Sequence, residues 1–179
     1  MPDHSDLAPL TSLAARIAES LRERGESVAV VESSAGGLVS AALLAIPGAS
    51  AYFVGGAVIY TRKAGKALLG LTPDDVVGMR GETEPYANLV AGRIRDRLGA
   101  TWGLSESGAA GPSGSPYGDA PGHVCIAVTG PISRTRTIET GLSDRPTNMD
   151  FFARQLLSLF DEVLQELLPL PSAQHPGSA

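Results

Sequence analysis

The stretch best equipped for chemistry is Glu32-Ser33-Ser34-Ala35-Gly36-Gly37. The apolar run Val28-Ala29-Val30-Val31 leads into it and the apolar segment Gly37–Ala45 follows, so it reads as a turn between a buried strand and a helix. Such a turn gathers hydroxyl oxygens, unpaired backbone N–H groups and the positive end of a helix dipole. It can bind an anion, or hold a serine nucleophile beside donors for an oxyanion. The same residues also suit a plain helix cap, with Ser33 or Ser34 bonding the helix start and the glycines allowing close packing. A second stretch is the Gly- and Pro-rich loop Gly108–Gly122, longer than most loops of compact domains and of the kind that carries function. Arg62 is either a bidentate clamp for a phosphate or carboxylate, or a surface arginine. His123 and Cys125 share one strand face, but no second pair at ligand spacing accompanies them, so neither a metal nor another cofactor is expected.

The elements that must position these residues follow from periodicity. Leu7, Leu10, Leu13, Ala14, Ile17, Ala18 and Leu21 predict an amphipathic helix from Asp6 to Gly25. Strands are expected at Ser27–Glu32, Ala51–Tyr60 and Trp102–Ser105, with Gly55-Gly56 a bulge or point of close approach. Lys63–Leu69 predicts one or two helical turns, Thr72-Pro73 a short helix start, and Glu82–Leu98 a longer helix. His123–Thr129 and Ser133–Glu139 predict a hairpin, and Thr147–Leu168 a closing helix. This order implies a three-layer α/β/α domain on a mixed, mainly parallel sheet, with ligands gathering at the carboxyl ends of its strands. Residues 6–168 form one domain on this reading, flanked by flexible tails at 1–5 and 169–179. The 179 residues, of which 43% are hydrophobic and 18% charged, suit one soluble globular domain. A net charge of -5 argues against a general nucleic-acid binder, no apolar run is long enough for a membrane span, and a single cysteine fits a cytoplasmic location.

In order along the chain, these pieces resemble the CinA C-terminal domain family, whose characterised members are nicotinamide-nucleotide amidohydrolases. The matching positions are Glu32-Ser33 with Gly36-Gly37, Ile46-Pro47-Gly48-Ala49-Ser50, Gly55-Gly56-Ala57-Val58-Ile59-Tyr60 and Leu68-Leu69-Gly70. Further along come Arg97-Leu98-Gly99-Ala100, Ser107-Gly108-Ala109-Ala110-Gly111-Pro112 and Asp144-Arg145. The resemblance implies hydrolysis of nicotinamide mononucleotide to nicotinic acid mononucleotide and ammonia. It implies Ser33 as nucleophile, Tyr60 as proton carrier or orienting group, and a lysine as base. The family lysine position falls on Gly65 here, leaving Lys63 or Lys66, with Lys66 the favoured substitute. Glu32, Ser34, Gly36, Gly37, Arg62, Ser107, Gly108, Ala109, Gly111 and Arg145 are the expected substrate-binding residues, with the Gly108–Gly111 segment closing over the nucleotide.

Three function classes remain open on the sequence. The first is an amidohydrolase on a small nucleotide. The second is a catalytically silent module that binds a nucleotide or similar anion. The third is a subunit-association module, because the apolar final helix and the alanines of the second helix suit a homo-oligomer.

Overall fold

The computed structural model describes residues 8–167. The tails expected at 1–5 and 169–179, and the helix end at Leu168, lie outside the described residues. The first helix, α1 (Leu10–Arg24), begins four residues later than the spacing from Asp6 predicts. Pro9, extended at φ -53° and ψ 147°, stands at its start and disfavours helix in the residue before it. Gly25 closes the helix in the left-handed conformation at φ 63°, which a side chain would strain.

The remaining elements are β1 (Val28–Glu32), α2 (Leu38–Leu44), β2 (Phe53–Val58), α3 (Arg62–Leu69), α4 (Glu84–Leu98), β3 (Trp102–Gly108), β4 (His123–Thr129), β5 (Arg134–Glu139) and α5 (Arg145–Glu166). The sheet order is β2-β1-β3-β4-β5. β1 pairs parallel with both β2 and β3, while β4 is antiparallel to β3 and β5, so four of the five strands run one way. The domain is the expected three-layer α/β on a mixed sheet, its pairings divided equally between parallel and antiparallel. Helices α1, α2 and α5 cover one face, joined to Val28, Val30, Trp102, Leu104 and Ile126 in one core. Helix α4 covers the other, with Val90 and Ile94 against Ala29, Val31 and Leu69.

Two close approaches set the layers. A Cβ on Gly103 would lie 2.0 Å from the Ala91 carbonyl oxygen, so only glycine lets α4 sit this near β3. A Cβ on Gly56 would lie 2.6 Å from Ser40 Oγ, which fixes the approach of β2 to α2. The apolar face of α5, with Phe152, Leu156, Phe160 and Val163 fully buried, is used within the protomer and is not available for self-association. Three boundaries moved in ways that matter for the site. Ala49–Ala51 is a 3-10 turn, so β2 starts late, and it ends at Val58, leaving Tyr60 beyond the strand. The helix expected after Thr72 is a single 3-10 turn, Asp74–Val76, held by Thr72 and Asp75 bonding each other's backbone N–H. Strand β3 runs three residues past Ser105 and so carries Glu106, Ser107 and Gly108.

Candidate active site

The carboxyl ends of β1, β2 and β3 open into one cleft of about 920 Å³. Ser33 follows β1, Tyr60 follows β2 through Ile59, whose N–H donates to the Glu32 carbonyl at 2.6 Å, and Ser107 and Gly108 close β3. The 3-10 turn, with Pro73 and Val76, and the loop from Ala109 to Tyr117 supply the opposite walls. Among the described residues no helix is long and apolar enough to cross a membrane.

The turn after β1 is organised by two carboxylates. Glu32, 1% exposed, points along α2 rather than into the cleft. Its Oε2 accepts from Gly37 N–H at 2.9 Å and Val39 N–H at 3.0 Å, and its Oε1 from Ser40 N–H at 2.8 Å and Ser40 Oγ at 2.7 Å. These are the donors a helix leaves unpaired at its start, and a carboxylate there also meets the positive end of the dipole. Glu106 reaches across from β3, where the register sets Val31 beside Ser105 and hence Glu106 beside the turn. Its Oε1 accepts from Ser33 N–H and, at 2.7 Å, from Ala35 N–H, and its Oε2 accepts from Ser34 Oγ at 2.7 Å. Burial pushes the Glu106 carboxyl up to about 7, against the pull of those three hydrogen bonds, and the charge of Glu32 adds to the rise.

These contacts revise the expected roles of five residues. Glu32 and Ser34 do not border the cleft, because their side chains are bonded inside the turn. The Gly37 N–H is bonded to Glu32 and so offers no oxyanion donor. Gly36 turns away toward Met149, whose Cε lies 3.0 Å from the position of a Cβ. Lys63 stands outside the cleft wall, whereas Lys66 forms part of it. Between them Gly65 is buried at the wall, where a Cβ would lie 3.2 Å from Leu71 Cδ1 and 3.7 Å from Ile59 Cγ2. Among the described residues the Ser33 hydroxyl has no hydrogen-bond partner, and neither lysine is bonded to it.

Arg145 ties two walls together. Its Nη2 donates to Tyr60 Oη at 2.9 Å and its Nη1 to the Gly111 carbonyl at 2.7 Å. Tyr60, 62% exposed, thus accepts through its oxygen and keeps its own proton for another acceptor. Arg62 Nη2 donates to Tyr117 Oη at 3.0 Å, which joins α3 to the long loop. The Ser107 hydroxyl donates to the Gly81 carbonyl at 2.9 Å and so fixes the wall rather than a ligand. Gly108, Ala109 and Gly111 border the cleft as expected.

Two acidic residues were missed. Glu106 lay one residue past the expected strand end, and only the continuation of β3 to Gly108 would have revealed it. Glu82 borders the cleft and, among the described residues, its Oε2 is buried without a hydrogen-bond partner. Burial raises its pKa, with the charge of Asp119 adding to the rise. In sequence it merges with the acidic start of α4, where a carboxylate is ordinary. His123 and Cys125 do share a face of β4, and both meet the Glu82 carbonyl, the ring through Nε2 at 3.0 Å and the thiol at 3.6 Å.

The profile of the CinA C-terminal domain matches residues 10–164. A CinA-like protein of Myxococcus xanthus (strain DK1622) is 37% identical over 160 residues, which covers 89% of this chain and 37% of that protein. A CinA-like protein of Prochlorococcus marinus (strain MIT 9313) is 43% identical over 120 residues, covering 67% of this chain and 28% of that protein. The chain therefore spans well under half the length of these curated relatives. Among solved structures, a competence or damage-inducible protein from Enterobacter asburiae superposes with a TM-score of 0.82 at 26% identity, covering 88% of this chain and 99% of that one. A competence-damaged protein (CinA) superfamily protein from Klebsiella pneumoniae 700603 gives 0.83 at 24% identity, with 89% and 99% covered, which bears on the fold. The chain belongs to the CinA C-terminal domain family.

Proposed function

We propose that the cleft is an amidohydrolase site for a small anionic amide of the nicotinamide mononucleotide type. The observation that carries this reading is Ser33. It borders the cleft, its backbone is pinned by Glu106, and its hydroxyl has no hydrogen-bond partner among the described residues. In the reaction Ser33 Oγ bonds to the carboxamide carbon, the C–N bond breaks, and ammonia leaves with the serine proton. Water then cleaves the ester and restores the hydroxyl. Lys66, the lysine that borders the cleft, takes the part of base, and Tyr60 passes or directs the proton. Arg62 and Arg145 line the cleft as cations suited to a phosphate, and the Glu82 oxygen, without a hydrogen-bond partner among the described residues, suits a carboxamide N–H.

One observation favours a second reading, a nucleotide-binding module without turnover. Gly65 occupies the wall position where the family pattern has lysine, and among the described residues no lysine is bonded to Ser33. Ammonia release measured over nicotinamide mononucleotide, nicotinamide riboside, nicotinamide and glutamine separates the two. The amidohydrolase reading predicts turnover of the nucleotide above the others. Thermal stabilisation by the nucleotide with no ammonia from any of the four would support the silent module instead.

A further inference from the structure

Strand-turn-helix junctions commonly bind a ligand's anion on the N–H groups that follow the strand. Here the chain supplies the anions itself. Gly37, Val39 and Ser40 donate to Glu32, and Ser33 and Ala35 donate to Glu106, so five N–H groups of the junction are engaged before a ligand arrives. Glu106 is 1% exposed and does not border the cleft, so it reaches a ligand only through the turn. It grips that turn at three consecutive residues: the backbone of Ser33, the hydroxyl of Ser34 and the backbone of Ala35.

We infer that Glu106 is a positioning residue for Ser33, fixing the backbone of the turn residue that borders the cleft and whose hydroxyl has no partner among the described residues, and excluding ligand anions from the turn. The catalytic part rests on the amidohydrolase reading, whereas the grip on the turn does not. A ligand phosphate is then received by Arg62 and Arg145 on the cleft wall, not by the start of α2.

Glu106→Gln and Glu106→Leu test this in the full chain. Glutamine keeps an oxygen that accepts from Ser33 and Ala35, and its NH2 can donate to Ser34 Oγ. Leucine fills similar space and accepts nothing. Amide exchange of the 33–37 segment and the kinetics of ammonia release from nicotinamide mononucleotide are measured together. The glutamine variant is expected to keep exchange and kcat within about threefold of wild type, since a neutral acceptor replaces a charged one. The leucine variant is expected to speed exchange over 33–37 at least about tenfold and lower kcat on the order of 10–100-fold, with KM held within about threefold. Unchanged exchange and kcat in the leucine variant would overturn the inference, as would a loss confined to KM. If wild type releases no ammonia, the amidohydrolase reading fails, and the exchange arm still decides whether Glu106 holds the turn. If the leucine variant does not fold, Ser34→Ala removes one of the three bonds and is expected to speed exchange over the same segment about fivefold; no change there overturns the inference.

Discussion

Raising the pH from 5 to 8 should weaken this protein through Glu106, and Glu106→Gln should abolish that part of the loss. The folded chain holds the Glu106 carboxyl at about 7, against an ordinary 4.5, so between those values the folded state binds a proton that the unfolded chain has released. Stability from this group is fully present below about 4.5 and is lost as pH rises through about 7. A shift of 7 − 4.5, or 2.5 units, at about 1.4 kcal/mol per unit sets the loss on the order of 3 kcal/mol. The neutral form breaks no contact: Oε1 still accepts from Ser33 and Ala35, and a proton on Oε2 can be donated to Ser34 Oγ. Glutamine mimics that form, so the variant should match wild type at pH 5 and exceed it at pH 8. Urea unfolding at pH 5, 6, 7 and 8 reads this as a midpoint difference growing to about 1.5 M, for a slope of about 2 kcal/mol/M. His123 also has a pKa that differs from its ordinary value. Burial alone would lower its pKa, but bonding to Glu139 and to the Glu82 carbonyl outweighs burial and raises it, so its stabilisation also fades with rising pH. That contribution is common to both proteins and cancels in the difference. A variant-minus-wild-type difference that stays flat from pH 5 to 8 would refute the reasoning.

Glu32 should behave in the opposite way to Glu106. Both of its oxygens accept from N–H donors, so Glu32→Gln would set an NH2 against the Gly37 and Val39 or the Ser40 donors and should cost about 2–4 kcal/mol in a urea titration. Arg145→Lys cannot bridge Tyr60 Oη and the Gly111 carbonyl with one ammonium in the geometry of the guanidinium fork, and KM for the nucleotide should rise about tenfold in steady-state assays. Lys66→Met should lower ammonia release on the order of 100-fold, and Gly65→Lys in that background should recover part of it, with the tight approach to Leu71 costing some stability.

Much of the fold was legible because it rests on local signals. The Val28–Val31 run, glycines at helix ends and the α5 stripe each mark their element within one or two turns of chain. The cleft residues Ser33, Tyr60 and Ser107 through Gly111 were legible because each lies at or just past the carboxyl end of a strand. What sequence could not supply was cross-strand partnership. Glu106 is bonded to residues 71 to 73 positions away, and nothing local distinguishes it from a solvated acid at a strand end. Gly37 looked like an anion donor because the pattern shows an available N–H but not the Glu32 carboxylate that claims it. The same gap hid Glu82, whose oxygen without a partner among the described residues is visible only once the cleft walls are assembled.

Ser33 is the group proposed to perform chemistry in this cleft. The chromatographic appearance of nicotinic acid mononucleotide from nicotinamide mononucleotide, compared between wild type and Ser33→Ala, tests that role. The hydroxyl of Ser33 is unpaired among the described residues, so its removal should leave the urea midpoint within about 0.5 kcal/mol equivalents of wild type. Product is expected from wild type, with at least a roughly thousandfold loss in the alanine variant. Equal product formation by the two proteins would contradict it.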